Sequence, residues 1–219
     1  MKILLVGATG TLGRQIAKEA IEEGHEVRCF VRNPRKASFL QEWGCELTKG
    51  NLLISNYTLI NDLEFNRSVI LLTRYDSEGS IGFVINKKSS HKICDLDKEY
   101  KDIEAKIYYG GPVSVDTIHF IHKKNSFVVD SEKISNEIYW GKDFNEIIKL
   151  IRQKKVDIND VKFFIGYSGW DYDQLGRELD ENSWLVLKNY NSNDIFKTKN
   201  ELWKNKLISF GEKYKLWAN

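Results

Sequence analysis

Apolar positions along this chain change rhythm near residue 50. Residues 2–6 (KILLV) form a short, almost continuous apolar run ending at Gly7, the pattern of a strand buried on both faces, as in a parallel sheet. Leu12, Ile16 and Ala20, with neighbouring Ala17 and Ile21, then recur at helical spacing, and Gly24 stands where a left-handed C-terminal cap belongs. Residues 25–31 predict a second strand, 34–43 a second helix opening on Pro34, and 45–48 a short third strand. That order is one βαβαβ half of a doubly wound α/β fold.

From Asn51 the pattern becomes strands punctuated by glycine, with few helices. Residues 67–74 (RSVILLTR) and 81–86 (IGFVIN) flank the turn sequence Asp76-Ser77-Glu78-Gly79 and predict a hairpin. Residues 118–122 and 126–130 predict a second strand pair. Asp143 with Glu146 three residues on reads as a capping box, and Phe144, Ile147, Ile148 and Ile151 as the inward stripe of the helix it opens. A strand is expected at 161–165, and Trp203, Leu207, Phe210, Tyr214 and Trp217 predict one amphipathic closing helix whose stripe is core.

Composition narrows the function classes. Of 219 residues, 42% are hydrophobic and 29% charged, with 33 Lys/Arg against 31 Asp/Glu, so the chain should be globular and gives no electrostatic reason to bind nucleic acid. Cys29, Cys45 and Cys94 form no CxxC or paired framework, which favours a reducing cytosol and buried thiols without a disulfide or zinc site. The apolar run at the start stops too soon for an export signal, and no stretch approaches the roughly 18–20 residues of a membrane helix. A cytoplasmic location is expected.

The chemistry of the first segment lies in its glycines. Gly7, Gly10 and Gly13 between a strand and a helix let the backbone turn sharply and admit a pyrophosphate to the N–H groups at the helix start, with Thr9, Thr11 and Leu12 completing the cradle. Arg32, followed by Arg35 and Lys36, occupies the place of the acidic residue that binds a ribose hydroxyl, which favours the 2′-phosphate of NADP. GATGTLGRQI followed by VRCFVRNPRKASFLQEWG resembles the start of the NmrA-like atypical short-chain dehydrogenases, over residues 1–50 only. Reductases of that class use Tyr-x-x-x-Lys, yet none of the ten tyrosines has lysine four residues on. The half-fold also leaves one sheet face bare, so the segment is expected to pack on the rest of the chain or on a second copy, or else to be poorly ordered.

Four stretches of the second segment carry another resemblance: FNRSVILL (65–72), GSIGFVINK (79–87), YYGGPV (108–113) and GYSGWDYDQLGRELDENSW (166–184). In order and spacing they resemble the AlgH-like family of bacterial proteins. The resemblance implies an α+β domain with a bifurcated sheet folded into a pseudo-barrel, described as a transcriptional regulator, with no established cofactor. Lys88 and Gly176 depart from the family pattern, which usually has proline and glutamate there. The glycines suit tight turns and close backbone approach in a curved sheet, and Trp170 and Trp184 suit its core. A sharper reading gathers Arg67, Asn86, Lys87 and Gln174 beside those turns to bind a small anion.

The fold expected is therefore α+β: an AlgH-like domain over 51–219, preceded over 1–50 by a partial (βαβαβ) Rossmann unit. His119 and His122, three apart on a strand, point to opposite faces and share no metal. Asp171 and Asp173 are expected to cap the helix that follows them. The function expected is regulatory binding rather than catalysis; an NADP-responsive regulator or an NADP-dependent oxidoreductase is the alternative. The partners expected are a small anionic ligand and a second copy of the chain, with neither nucleic acid nor membrane.

Overall fold

A computed structural model describes residues 2–6, 11–30, 47–197 and 200–218. The chain divides into two compact units, Met1–Leu47 and Thr48–Asn219.

In the first unit, β1 (Lys2–Val6) and β2 (Glu26–Phe30) pair in parallel from Lys2↔Glu26 to Val6↔Phe30, with α1 (Thr11–Glu22) between them in sequence. Gly24, at φ +78°, ends α1 as expected: Gly24 N–H donates to Ile21 O and His25 N–H to Ala20 O, the paired bonds of a Schellman cap. Gly7, Thr9, Gly10 and Arg32, the predicted second helix and most of the third strand lie outside the described residues. Leu47 and Thr48, the end of that expected strand, are not in a strand. Thr48 and Asn51 instead close a turn, Thr48 N–H donating to Asn51 Oδ1 and Asn51 N–H to Thr48 O.

The second unit is a ten-stranded sheet curled into a half-barrel. Its strands are β3 (Leu52–Ser55), β4 (Val69–Asp76), β5 (Gly79–Val84), β6 (Lys88–Lys92), β7 (Lys106–Tyr109), β8 (Val113–Lys123), β9 (Ser131–Lys133), β10 (Ile138–Gly141), β11 (Val161–Trp170) and β12 (Trp184–Leu187). The main order is β12-β3-β4-β5-β11-β8-β10-β9. The predicted hairpin is β4–β5, with Asp76 opposite Gly79.

The sheet forks at β11. Along one edge β11 pairs with β8; along the other it pairs first with β7, in parallel through residues 163–165, and then with β5, antiparallel through residues 168–170. Between these stretches sits Gly166 at φ +65°, where the register with β8 shifts. Gly110 lies at the same point: its N–H donates to Ile165 O, while its carbonyl accepts from Val84 N–H and the Ser168 hydroxyl. No side chain fits, since a Cβ at Gly110 would stand 2.2 Å from Gly166 O.

Alternation along the strands builds a core on each face of the sheet. Phe164 and Ile121 point into the cluster of Leu52, Leu71, Phe83, Trp203 and Leu207; their neighbours Phe163 and Phe120 point into that of Ile93, Ile107, Ile147 and Ile148. The second face is covered by α2 (Phe144–Arg152), whose Asp143 cap accepts from Glu146 N–H at 2.9 Å.

Three expectations are corrected. Residues 126–130 form a turn, not the partner of β8. Both edges of β8 are taken by β11 and β10, and Asn125 Oδ1 draws Phe127 N–H into a local turn. The closing stripe is not one helix: α4 (Leu202–Ile208) stops before Gly211, at φ +129°, and a single tight turn, Glu212–Tyr214, follows. Trp203, Leu207 and Tyr214 are still buried, while Trp217 is half exposed and stacks on Tyr57 at 4.8 Å. Cys94 is only half-buried, because it lies in the tight turn Ile93–Asp95 that follows β6, with its thiol near Asp95. No described helix is long and apolar enough to cross a membrane.

Candidate functional site

Beside the fork the chain leaves β3 and returns to β4 through a polar turn. Asp62 opens it by accepting from Glu64 and Phe65 N–H, and Arg67 closes it in the left-handed region at φ +52°. Asn86, just past β5, pins this turn: its Oδ1 accepts from Val69 N–H and its Nδ2 donates to Arg67 O, both at 2.8 Å. Lys87 Nζ donates to Glu64 O, and the Tyr109 hydroxyl donates to the Glu64 carboxylate. Burial lowers the Lys87 pKa, with Glu64 and Asp62 pulling the other way. Burial, and then the bond to Glu64, raises that of Tyr109. The Arg67 guanidinium lies 5.5 Å above the Trp203 ring. The structure thus brings Arg67, Asn86 and Lys87 to one turn.

Gln174 belongs to a different set of bonds. It opens α3 (Gln174–Asp180), where its Oε1 accepts from Asp171 N–H and its Nε2 donates to Glu178 Oε1 at 2.9 Å. The Glu178 carboxylate also accepts from the indole N–H of Trp170 and of Trp184, each at 2.8 Å. Phe65 covers both indoles, edge-on to Trp184 and stacked on Trp170. Two buried tryptophans need an acceptor for their N–H groups, and one carboxylate serves both. Asp173 does not cap α3 as expected. It sits at φ +61°, whereas a capping residue is extended, and its side chain makes no capping bond.

The curl of the sheet opens a cleft of about 870 Å³ where the segment entering β3, the β9–β10 turn and the segment after β12 approach one another. Gly50, at φ +90°, is the closest point, and a Cβ there would lie 3.1 Å from Ile134 O. Asn51, Asn136, Asn189, Asn191 and Asn193 line the cleft, with Lys49 and Lys188. Tyr190, its pKa pushed up to about 12 by burial, donates to Gly50 O and fixes one wall.

In the first unit, Thr11, Leu12 and Gly13 begin α1, whose first turn carries no acidic residue. An anion at that helix end would meet no like charge from the turn.

Comparison with known proteins assigns the larger unit. A family model described as AlgH-like matches residues 52–215. The chain belongs to the AlgH-like family. AlgH-like relatives include a UPF0301 protein of Cytophaga hutchinsonii, 37% identical over 79% of this chain and 95% of that one. Another, from Bacteroides thetaiotaomicron, is 40% identical over 78% and 87%. The solution structure of the AlgH protein from Pseudomonas aeruginosa superposes with a TM-score of 0.62 at 22% identity, over 77% of this chain and 92% of that one. A crystal structure of a Corynebacterium diphtheriae protein gives 0.63 at 19%, over 80% and 93%. These two share the AlgH-like half-barrel fold. A second model, described as NAD(P)H-binding, matches residues 7–59.

Sequence reading of this AlgH-like chain missed Glu64, Tyr109 and Glu178, the acceptors and donor that hold the named residues. The only signal was the demand of two indoles for a buried acceptor. His119 and His122 do face opposite ways, His119 toward Phe83 and Trp140, His122 toward Tyr139 on the side of Phe120. Burial lowers both their pKa values.

Proposed function

We propose that this chain is a regulatory binding protein, with the cleft between Gly50, Ile134 and Tyr190 as its recognition site for a small polar anion. The observation that carries the reading is the lining. Five asparagines, a fixed tyrosine and two lysines, Lys49 paired to Glu132, offer donors against one lining carboxylate, Glu137, on a wall whose backbone is held close at Gly50. Phosphate and citrate titrated against the labelled chain should shift the Asn189 and Asn191 carboxamide signals saturably. Lys49→Gln with Lys188→Gln should weaken that response at least about tenfold. Unchanged spectra would defeat the proposal.

A second reading concerns the first unit. The parallel pairing of β1 and β2, with a helix between them and no acid in its first turn, supports a half-Rossmann cradle in which Gly7, Thr9, Gly10, Thr11, Leu12 and Gly13 hold the phosphates of NADP and Arg32 its 2′-phosphate. Bound NADP would supply a redox-sensitive signal; this chain's own residues would only hold it. NADPH should bind more tightly than NADH, and Arg32→Glu should remove that difference. Equal binding of both cofactors by the unaltered chain would refute it.

A further inference from the structure

A second cavity, of about 360 Å³, shares no lining residue with the asparagine-lined cleft, and its lining is different in kind. His119 and Phe120 of β8, Trp140 and Gly141 of β10, and Phe144 at the start of α2 give it aromatic walls; Arg74, Lys142 and Glu132 give it charged ones. The walls are held by packing. Trp140 stands edge-on to Phe83, 5.4 Å between ring centres, and Gly141 is obligatory because a Cβ there would strike the Phe120 ring at 2.1 Å.

Two of the lining residues carry buried polar atoms with no hydrogen-bond partner: Nε2 of His119 and Nε of Arg74. Buried polar groups are almost always bonded, so two such atoms in one lining call for a partner from outside the chain. Arg74 Nε always carries a hydrogen and asks for an acceptor. Among the described residues it forms an ion pair with Asp76 Oδ2 at 3.5 Å, without the geometry of a hydrogen bond. The His119 ring, kept neutral by burial, offers one donor and one acceptor. Charge favours an anion: Arg74 is paired to Asp76 and Glu132 to Lys49, at 3.5 and 3.2 Å, so Lys142 leaves the lining one positive charge in excess. Volume sets the size. Ligand pockets span roughly 300–1,000 Å³, so this one takes a single ring system and not a dinucleotide.

We infer that this cavity binds a small planar aromatic carboxylate, its ring against Trp140 and Phe144 and its carboxylate on Arg74, with His119 completing the polar contacts. The test uses the full-length chain and three probes: benzoate, which has ring and carboxylate; phenol, which has the ring; and acetate, which has the carboxylate. Benzoate should shift the Trp140 indole and His119 ring signals in nitrogen-labelled protein saturably, and at lower concentration than phenol or acetate. Arg74→Gln should weaken benzoate at least about tenfold and leave phenol unchanged. Lys142→Gln, at an exposed position, should weaken benzoate by a smaller factor without altering the melting temperature. Benzoate that binds no better than phenol, or that binds Arg74→Gln as it binds the unaltered chain, would overturn the inference. So would the absence of a saturable response at Trp140.

Discussion

Gly110 and Gly166 meet backbone to backbone at the fork of the sheet, so closely that a Cβ on Gly110 would stand 2.2 Å from the Gly166 carbonyl oxygen. The obstacle is backbone on both sides and no rotamer relieves it. Gly110→Ala should therefore destabilise the larger unit by about 3 kcal/mol, the upper range for overpacking. A fall in the urea midpoint with little change in slope would register it; a midpoint unchanged within error would show that the fork can open.

Glu178 tests how much one carboxylate holds. Replacing it by alanine leaves the indole N–H groups of Trp170 and Trp184 and the amide of Gln174 without their acceptor. The expected cost is roughly 2–3 kcal/mol, together with altered tryptophan emission in the folded state. Glu178→Gln should recover part of it, because one carbonyl oxygen still accepts.

Asn86 distinguishes a structural role from an anion site. Its carboxamide already bridges Arg67 O and Val69 N–H. Asn86→Ala should cost about 2 kcal/mol by denaturant unfolding. Loss of small-anion binding at an unchanged melting temperature would instead assign Arg67, Asn86 and Lys87 to a ligand.

Lys162 gives the molecule a predictable response to alkali. It is buried on β11, donating to Ile195 O at 2.8 Å over the Tyr108 ring, and burial, with Lys88 second, holds its pKa well below 10.5. Between the folded-state pKa and 10.5 the unfolded chain binds more protons, so this residue makes stability rise with pH across that window. Urea midpoints of the unaltered chain should climb relative to those of Lys162→Met as pH approaches about 10. Parallel curves would show that the ammonium is solvated after all.

What was legible in the sequence was local. The β4–β5 hairpin could be read because its turn residues and alternation lie within twenty positions, and the Gly24 cap because glycine favours the left-handed backbone needed there. The partner of β8 could not, since a strand's edges are claimed by whichever segments the fold brings alongside, and residues 126–130 are as apolar as 138–141. Arg67, Asn86 and Lys87 meet at one turn, but Lys87 is held there by Glu64, which Tyr109 holds in turn from 45 residues away, a pairing with no sequence period. Asp173 resembled a cap by type and failed by backbone angle, which composition does not encode.

The fork at β11 also dictates an order of events during synthesis. Strands β3 to β10 emerge first, yet the strand that pairs with both branches of the sheet, residues 161–170, comes after them. Until that stretch leaves the ribosome, the β4–β5 hairpin and β7 each hold an unpaired edge, and Phe83 and Ile107 lack the phenylalanines that cover them. Unpaired edges and bare apolar faces are what aggregation uses. A nascent chain stopped just short of Val161 is thus a stickier object than one stopped just after Trp170, although they differ by only ten residues.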